Sequence, residues 1–249
     1  MNTPVKTAEN TFRVVEALES LESAGLAEVV EYLDMPRSTV HDHVRTLELL
    51  GYVVKRDETY SLGTRFLEIG DGSRSRMPIY RHARTEVEGL AAETGEHASL
   101  MIEENGLGVL LYVAKGENAV NIGAYAGMRM PLSTTAPGKA ILAHLPQKSR
   151  ERYLDRHGLP PVTEQTVTDS DVLLEQLNEI HERGYATDYE ERIDGVCAVS
   201  VPICRGETVE GAITVGGPTN RMNGETIEAE LPRMLLRAAN VIEVNLTYS

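Results

Sequence analysis

The residues best suited to touching another molecule fall in two clusters. In the first, Arg37-Ser38-Thr39-Val40-His41-Asp42-His43-Val44-Arg45, apolar Val40, Val44 and Leu47 recur at helical spacing. They leave Ser38, Thr39, His41, Asp42 and Arg45 on the opposite side, a mix of donors and acceptors able to read base edges in a major groove. Arg37 and Arg45 can also reach phosphates, and Ser38 and Thr39 suit phosphate contacts at a helix N-terminus, where free N–H groups attract anions. A solvated polar helix face is the plainer reading. The second cluster runs from Gly184 to Glu191 and on through Asp194 to Ile203, a dense group of acids leading into a strand of small residues. Ala198 and Ser200, two apart, share one strand face and leave room above it. Asp188 beside such a gap can accept bonds from a hydroxyl or amine; the plainer reading is solvated acids next to a tightly packed strand.

Other tempting groups fail on spacing. Ala136-Pro137-Gly138-Lys139-Ala140 ends like a phosphate-binding loop, but Ser133 stands where the loop requires glycine, and Ala140 replaces the metal-binding hydroxyl. Here Gly138-Lys139 more simply begins a helix facing a pocket. His41 and His43 diverge on a helix, so a metal pair is not expected. Cys197 lies in an apolar strand, where cysteine usually packs, and nothing in the sequence brings His97, His144, His157 or His181 to it as a base. No catalytic group, metal or cofactor is predicted.

The elements that must position these clusters read as follows. Thr7 caps a helix carrying Val14, Ala17, Leu18 and Leu21; Gly25 breaks it, and Leu26–Leu33 forms a second. A turn at Asp34-Met35-Pro36 leads into the third helix, which Gly51 ends. Tyr52–Lys55 and Thr59–Leu62 make a hairpin about Asp57-Glu58. Three helices followed by a hairpin match a winged helix-turn-helix, with Lys55 and Arg56 on the wing. Polar, turn-prone Asp71–Arg76 begins a connection, and a helix over 79–93 links the two parts. Strands are predicted at His97–Glu103 and Val109–Ala114 about an Asn105-Gly106 turn, and an apolar stretch spans Val120–Ala126. Helices follow at Gly138–Leu145, Lys148–Arg156 and Asp171–Arg183. Strands around Tyr185–Glu190, Val196–Ile203 and Val209–Val215 precede a last helix from Asn223, which Pro232 splits or kinks. Hairpins interrupted by helices give an antiparallel α+β domain. The predicted parts are 1–70 (winged helix-turn-helix), 71–93 (linker and linker helix) and 94–249 (ligand-binding domain).

Composition bounds the rest. The chain has 249 residues, 41% hydrophobic, so it can build a core, and Cys197 and Cys204 make no disulfide framework. The absence of a long apolar run or a basic-then-apolar leader predicts a soluble, cytoplasmic protein with no membrane partner. Net charge is −14, with five lysines against 19 arginines. Acidity of this kind keeps a protein soluble, and together with the scarcity of lysine it predicts a halophilic source. Residues 1–70 carry seven bases against twelve acids, so DNA binding would rest on the locally basic edge of Arg37, Arg45, Lys55 and Arg56.

In order and spacing, the chain resembles the IclR family of transcriptional regulators over nearly its whole length. The likeness rests on Arg37–His41, on Leu62-Gly63 with Leu67-Glu68-Ile69-Gly70, on Thr135–Ala140, on the stretch from Gly184 to Pro202, and on Gly216-Gly217-Pro218. The resemblance implies an N-terminal winged helix and a C-terminal GAF-like domain with an antiparallel sheet and flanking helices. It implies a homodimer or homotetramer that binds operator DNA under control of a small-molecule effector, an organic acid or aromatic metabolite. The implied effector cleft falls on Gly138, Asp188, Ala198, Thr214 and Gly216. Two residues depart from the family pattern. Ala198 stands where a cysteine is common, and alternation aims Cys197 away from the cleft; Asp42 replaces a frequent basic residue and favours cytosine N4 while repelling phosphate. Two alternatives remain: a GAF-like sensory or protein-interaction module without sequence-specific DNA binding, and an enzyme using Cys197.

Overall fold

The computed structural model describes residues 3–222 and 224–248. The chain folds as two compact units, Met1–Arg74 and Ser75–Ser249.

In the first unit, helices α1 (Lys6–Ser20), α2 (Leu26–Leu33) and α3 (Arg37–Leu49) pack around Val14, Leu18, Val29, Val40, Val44 and Leu47. Each such side chain taken fully out of water contributes about 1.5–3 kcal/mol. Strand β1 (Ala24–Gly25) adds to the hairpin of β2 (Val53–Arg56) and β3 (Thr59–Leu62), giving a three-stranded wing in the order β1-β3-β2. Gly51, at φ +78°, closes α3, and the next amide, Tyr52 N–H, donates to Leu47 O at 2.8 Å. Thr7 is not the cap of α1. Val5 holds that position, and the Glu9 carboxylate gathers Thr3 and Lys6 at the helix start instead. Residues 71–75 are not an irregular connection either, but the end of helix α4 (Arg65–Ser75). Phe66 packs on Tyr52 at 5.1 Å between ring centroids, Arg65 lies over the same ring, and Arg74 pairs with Asp71 one turn back. These contacts outweigh the turn propensity of Asp71-Gly72-Ser73.

The second unit is a six-stranded antiparallel sheet between two helical layers. Its strands are β4 (His97–Glu104), β5 (Leu107–Lys115), β6 (Arg129–Pro131), β7 (Ala186–Tyr189), β8 (Val196–Arg205) and β9 (Thr208–Pro218), in the order β6-β5-β4-β9-β8-β7. On one face, Leu100, Val199, Val201, Ile213 and Val215 pack beneath α5 (Pro78–Thr94) and α9 (Leu231–Tyr248). On the other, Met101, Leu110 and Ala212 pack beneath α6 (Ala136–His144) and α8 (Ser170–Arg183), with Tyr153 of α7 (Gln147–His157). The apolar stretch 120–126 forms no strand. Gly123 and Gly127 take φ of +69° and +96°, which break extended geometry, and the strand falls later, at β6. Asn223, the expected start of the last helix, lies outside the described residues. Just before Pro232, residues Thr226–Glu230 form a π-type turn, in which Leu231 N–H donates to Thr226 O. Pro232 has no N–H for the usual bond, so the wide turn sits where the regular ladder is already interrupted.

Candidate nucleic-acid face and ligand cavity

In the winged unit, burial of Val40, Val44 and Leu47 turns Arg37, Ser38, His41, Asp42 and Arg45 to solvent, with Thr39 half-buried. Lys55 and Arg56 are exposed on the wing. Several of these charges already have partners: Arg45 pairs with Glu48 at 2.8 Å, Lys55 with Glu58 at 3.7 Å, and His41 Nδ1 lies 3.3 Å from Asp42. His43 is part of the packing, not of the open face; its Nδ1 meets the Thr11 hydroxyl at 3.0 Å and ties α3 to α1.

The cavity of the second unit is built on the sheet face beneath α6. Strand pairing aligns Asp188 with Ala198, Ala198 with Gly216, and Gly216 with His97, a single row across β7, β8, β9 and β4. The next row is Ala186, Ser200, Thr214 and Ser99. Polar side chains thus stand at the ends of the first row, and its middle is a methyl group and a hydrogen. At strand spacing of about 4.8 Å the row spans about 14 Å. Over it lies a cavity of about 90 Å³ lined by Asp188, Ala198, Thr214, Gly216, His97 and Arg192, and closed by apolar Met101, Leu110, Val113, Ile122, Met128 and Pro137. A cavity of about 150 Å³ holds benzene, so this one suits a molecule of a few heavy atoms unless its walls move.

Four of the five cleft positions read from the sequence line this cavity; Gly138 does not. A side chain there would meet the Leu132 carbonyl oxygen at 2.0 Å, so Gly138 permits close helix packing, and its N–H donates to the Thr135 cap at 3.1 Å. Thr214 Oγ1 donates to Ser200 Oγ, which donates to Ile213 O, leaving Thr214 free to accept. Burial pushes the Asp188 carboxyl up to about 7; the nearby Glu191 charge adds to this, while the donation from Glu191 N–H at 2.8 Å opposes it. Glu191 is not a solvated acid. The buried Lys139 ammonium donates to both its oxygens, at 2.5 and 2.6 Å, and to Gln176 at 2.9 Å. Thr163 and Thr166 donate to the backbone carbonyl of Glu191 as well, so the turn carrying Asp188 and Arg192 is pinned from two sides.

Sequence reasoning missed the buried Lys139–Glu191 pair and missed Arg192 and His97 as cavity residues, since isolated polar residues carry no periodic signal. Cys197 packs in the core on the opposite sheet face, and burial raises its thiol to about 11, so it is a poor nucleophile. Among the described residues no group of acids, histidines and cysteines could hold a metal ion. No helix among them is long and apolar enough to cross a membrane.

A winged helix joined to a sheet domain with a small internal cavity defines a class: DNA-binding proteins that carry a ligand domain. The family model of the bacterial transcriptional regulator IclR C-terminal domain matches residues 72–244, and that of the IclR helix-turn-helix domain matches residues 7–57. The chain belongs to the IclR family of transcriptional regulators. It is similar to the probable HTH-type transcriptional regulator ArcR of Halobacterium salinarum, 33% identical over 242 residues, covering 95% of this chain and 92% of that protein. The Thermotoga maritima IclR crystal structure superposes with a TM-score of 0.83 at 29% identity, over 98% of this chain and 99% of that one. An IclR homolog of Microbacterium hydrocarbonoxydans, crystallised with 4-hydroxybenzoate, shares the fold at a TM-score of 0.81 and 24% identity, over 96% and 100% of the two chains.

Proposed function

We propose that this regulator reads operator DNA with Arg37, Ser38, Thr39, His41, Asp42 and Arg45 of α3, backed by Lys55 and Arg56 of the wing, as a homodimer or homotetramer. Residues 1–70 form the reading domain, 71–93 the linker and 94–249 the effector domain. A small carboxylic acid is the effector, bound over Asp188, Ala198, Thr214 and Gly216, and it is not turned over. The observation that carries this reading is the row of small residues beneath an apolar cavity, with an arginine and a titrating acid at one end. Arg192 lines that end, and its one hydrogen bond among the described residues goes to the Met128 thioether, which leaves the guanidinium able to take a carboxylate. The relative bound to 4-hydroxybenzoate supports the same ligand class. Binding can alter grip on DNA only by favouring one of two arrangements of the assembly.

Fluorescence anisotropy with DNA from upstream of the protein's own gene tests the reading. Binding should be sequence-selective over a scrambled fragment, change when small acids are added, and weaken about 5- to 100-fold in Arg45→Ala. Equal affinity for scrambled DNA would overturn the reader assignment.

A further inference from the structure

His97 begins β4 at the end of the row opposite Asp188 and is 4% exposed. Its Nε2 lies 2.5 Å from the carbonyl oxygen of Val120, so that nitrogen carries the proton. Its Nδ1 is buried with no hydrogen-bond partner among the described residues, on a ring that walls the cavity. A buried polar atom left unmatched in this way is destabilising. Val120 belongs to the irregular segment 117–127, whose Ile122 and Ala124 also wall the cavity. Two residues before Val120 the segment is also held by Arg221, which is anchored on Glu96 at 2.6 and 2.9 Å and donates to Asn118 O at 2.8 Å.

We propose that His97 is both a ligand-contacting residue and the latch of segment 117–127: its bare Nδ1 accepts a hydrogen bond from a hydroxyl of the bound acid, while its Nε2–H holds the Val120 carbonyl and with it the stretch whose Ile122 and Ala124 wall the cavity. This deepens the effector reading above and rests on it. The ligand is then a hydroxylated carboxylic acid. Its carboxylate meets Arg192 and its hydroxyl meets His97 at the other end of the row. Donation into Nδ1 polarises the ring and strengthens the Nε2–H bond to Val120, so a bound hydroxyl tightens the wall it lies under. An acid without the hydroxyl leaves Nδ1 unmatched and gains none of this.

Two substitutions separate the halves of the imidazole. Asn places its amide near the Nδ1 position and cannot reach Val120; Gln reaches the Nε2 position and offers nothing at Nδ1. Full-length wild type, His97→Asn and His97→Gln are titrated calorimetrically with 4-hydroxybenzoate, benzoate, 4-hydroxybutyrate and butyrate. Hydrogen exchange of the amides of 118–124 is followed without ligand. Wild type should prefer the hydroxylated member of a pair by about tenfold, the worth of one buried hydrogen bond. His97→Gln should lose that preference, keep its affinity for the unhydroxylated acid and keep the loop protected. His97→Asn should keep the preference and lose the loop protection. A hydroxyl preference undiminished in His97→Gln, or protection undiminished in His97→Asn, overturns the inference while leaving the cavity reading intact. Failure of all four acids to bind wild type overturns the cavity reading itself.

Discussion

The Lys139 ammonium and the Glu191 carboxylate meet at 2.5 and 2.6 Å with both side chains almost wholly out of water, 52 residues apart in the chain. The pair joins the first turn of α6 to the turn after β7, and so fixes the distance between the cavity wall at Pro137 and the Asp188–Arg192 end of the row.

Removing one partner strands the other charge. Lys139→Met should cost about 3–5 kcal/mol, because Glu191 would remain buried without its counter-charge. Lys139→Met combined with Glu191→Leu should recover a good part of that loss. Urea denaturation of the single and double variants measures both, and additive losses would show that the pair does not act as a unit.

Asp188 makes stability depend on pH. Its folded value of about 7 lies above the ordinary 3.8, so the native state binds the proton more tightly than the unfolded chain. The native state is therefore favoured at low pH, and stability falls as pH rises from about 4 to about 7, by an amount on the order of a few kcal/mol. Lys139 and Arg192 moderate the shift, and the Glu191 charge adds to it. Asp188→Asn keeps an oxygen for the Glu191 N–H and has no proton to lose. Its melting temperature should exceed that of wild type at pH 8 and be nearly flat between pH 5 and 8 for this group. A variant with the wild-type slope would place the titration elsewhere.

Filling the middle of the row should separate ligand binding from DNA binding. Ala198→Leu extends a side chain over Gly216, where even a methyl group would lie 3.2 Å from the Ala198 Cβ. Affinity for small acids should fall at least about tenfold, with operator affinity in the absence of acid unchanged within about twofold. Calorimetry and anisotropy on the same preparation check both arms.

The salt dependence of DNA binding should be shallow. Arg45 and Lys55 already face Glu48 and Glu58, and Asp42 stands among the residues proposed to read the duplex, so few phosphates can be neutralised. A slope of log affinity against log KCl no steeper than about −4 per winged helix is expected, four bases at about −0.9 each. A slope twice as steep would mean that a wider basic surface meets the duplex.

The halophilic reading of the −14 charge yields a separate expectation. We propose that molar KCl screens the repulsion among carboxylates and raises the melting temperature. Greatest stability in dilute buffer would remove the idea.

The N-terminal unit was largely legible in the sequence because its signals are local. Val40, Val44 and Leu47 repeat at helical spacing, Gly51 stops the helix, and the open face follows from which side is apolar. Five of the six strands of the second unit, all but β6, were legible for the same reason, and alternation correctly separated Cys197 from Ala198. Where local propensity and distant contacts disagree, the sequence misleads: α4 runs through a turn-prone stretch because Tyr52 receives Phe66 and Arg65. Side-chain alternation states which face a residue takes, but not which residues stand beside it across strands. Only the register of β7, β8, β9 and β4 set Asp188 and His97 at the ends of one row with nothing larger than a methyl group between them. Only packing turned Lys139 and Glu191 into a buried pair, since their attraction depends on a dry interior that no stretch of sequence makes alone.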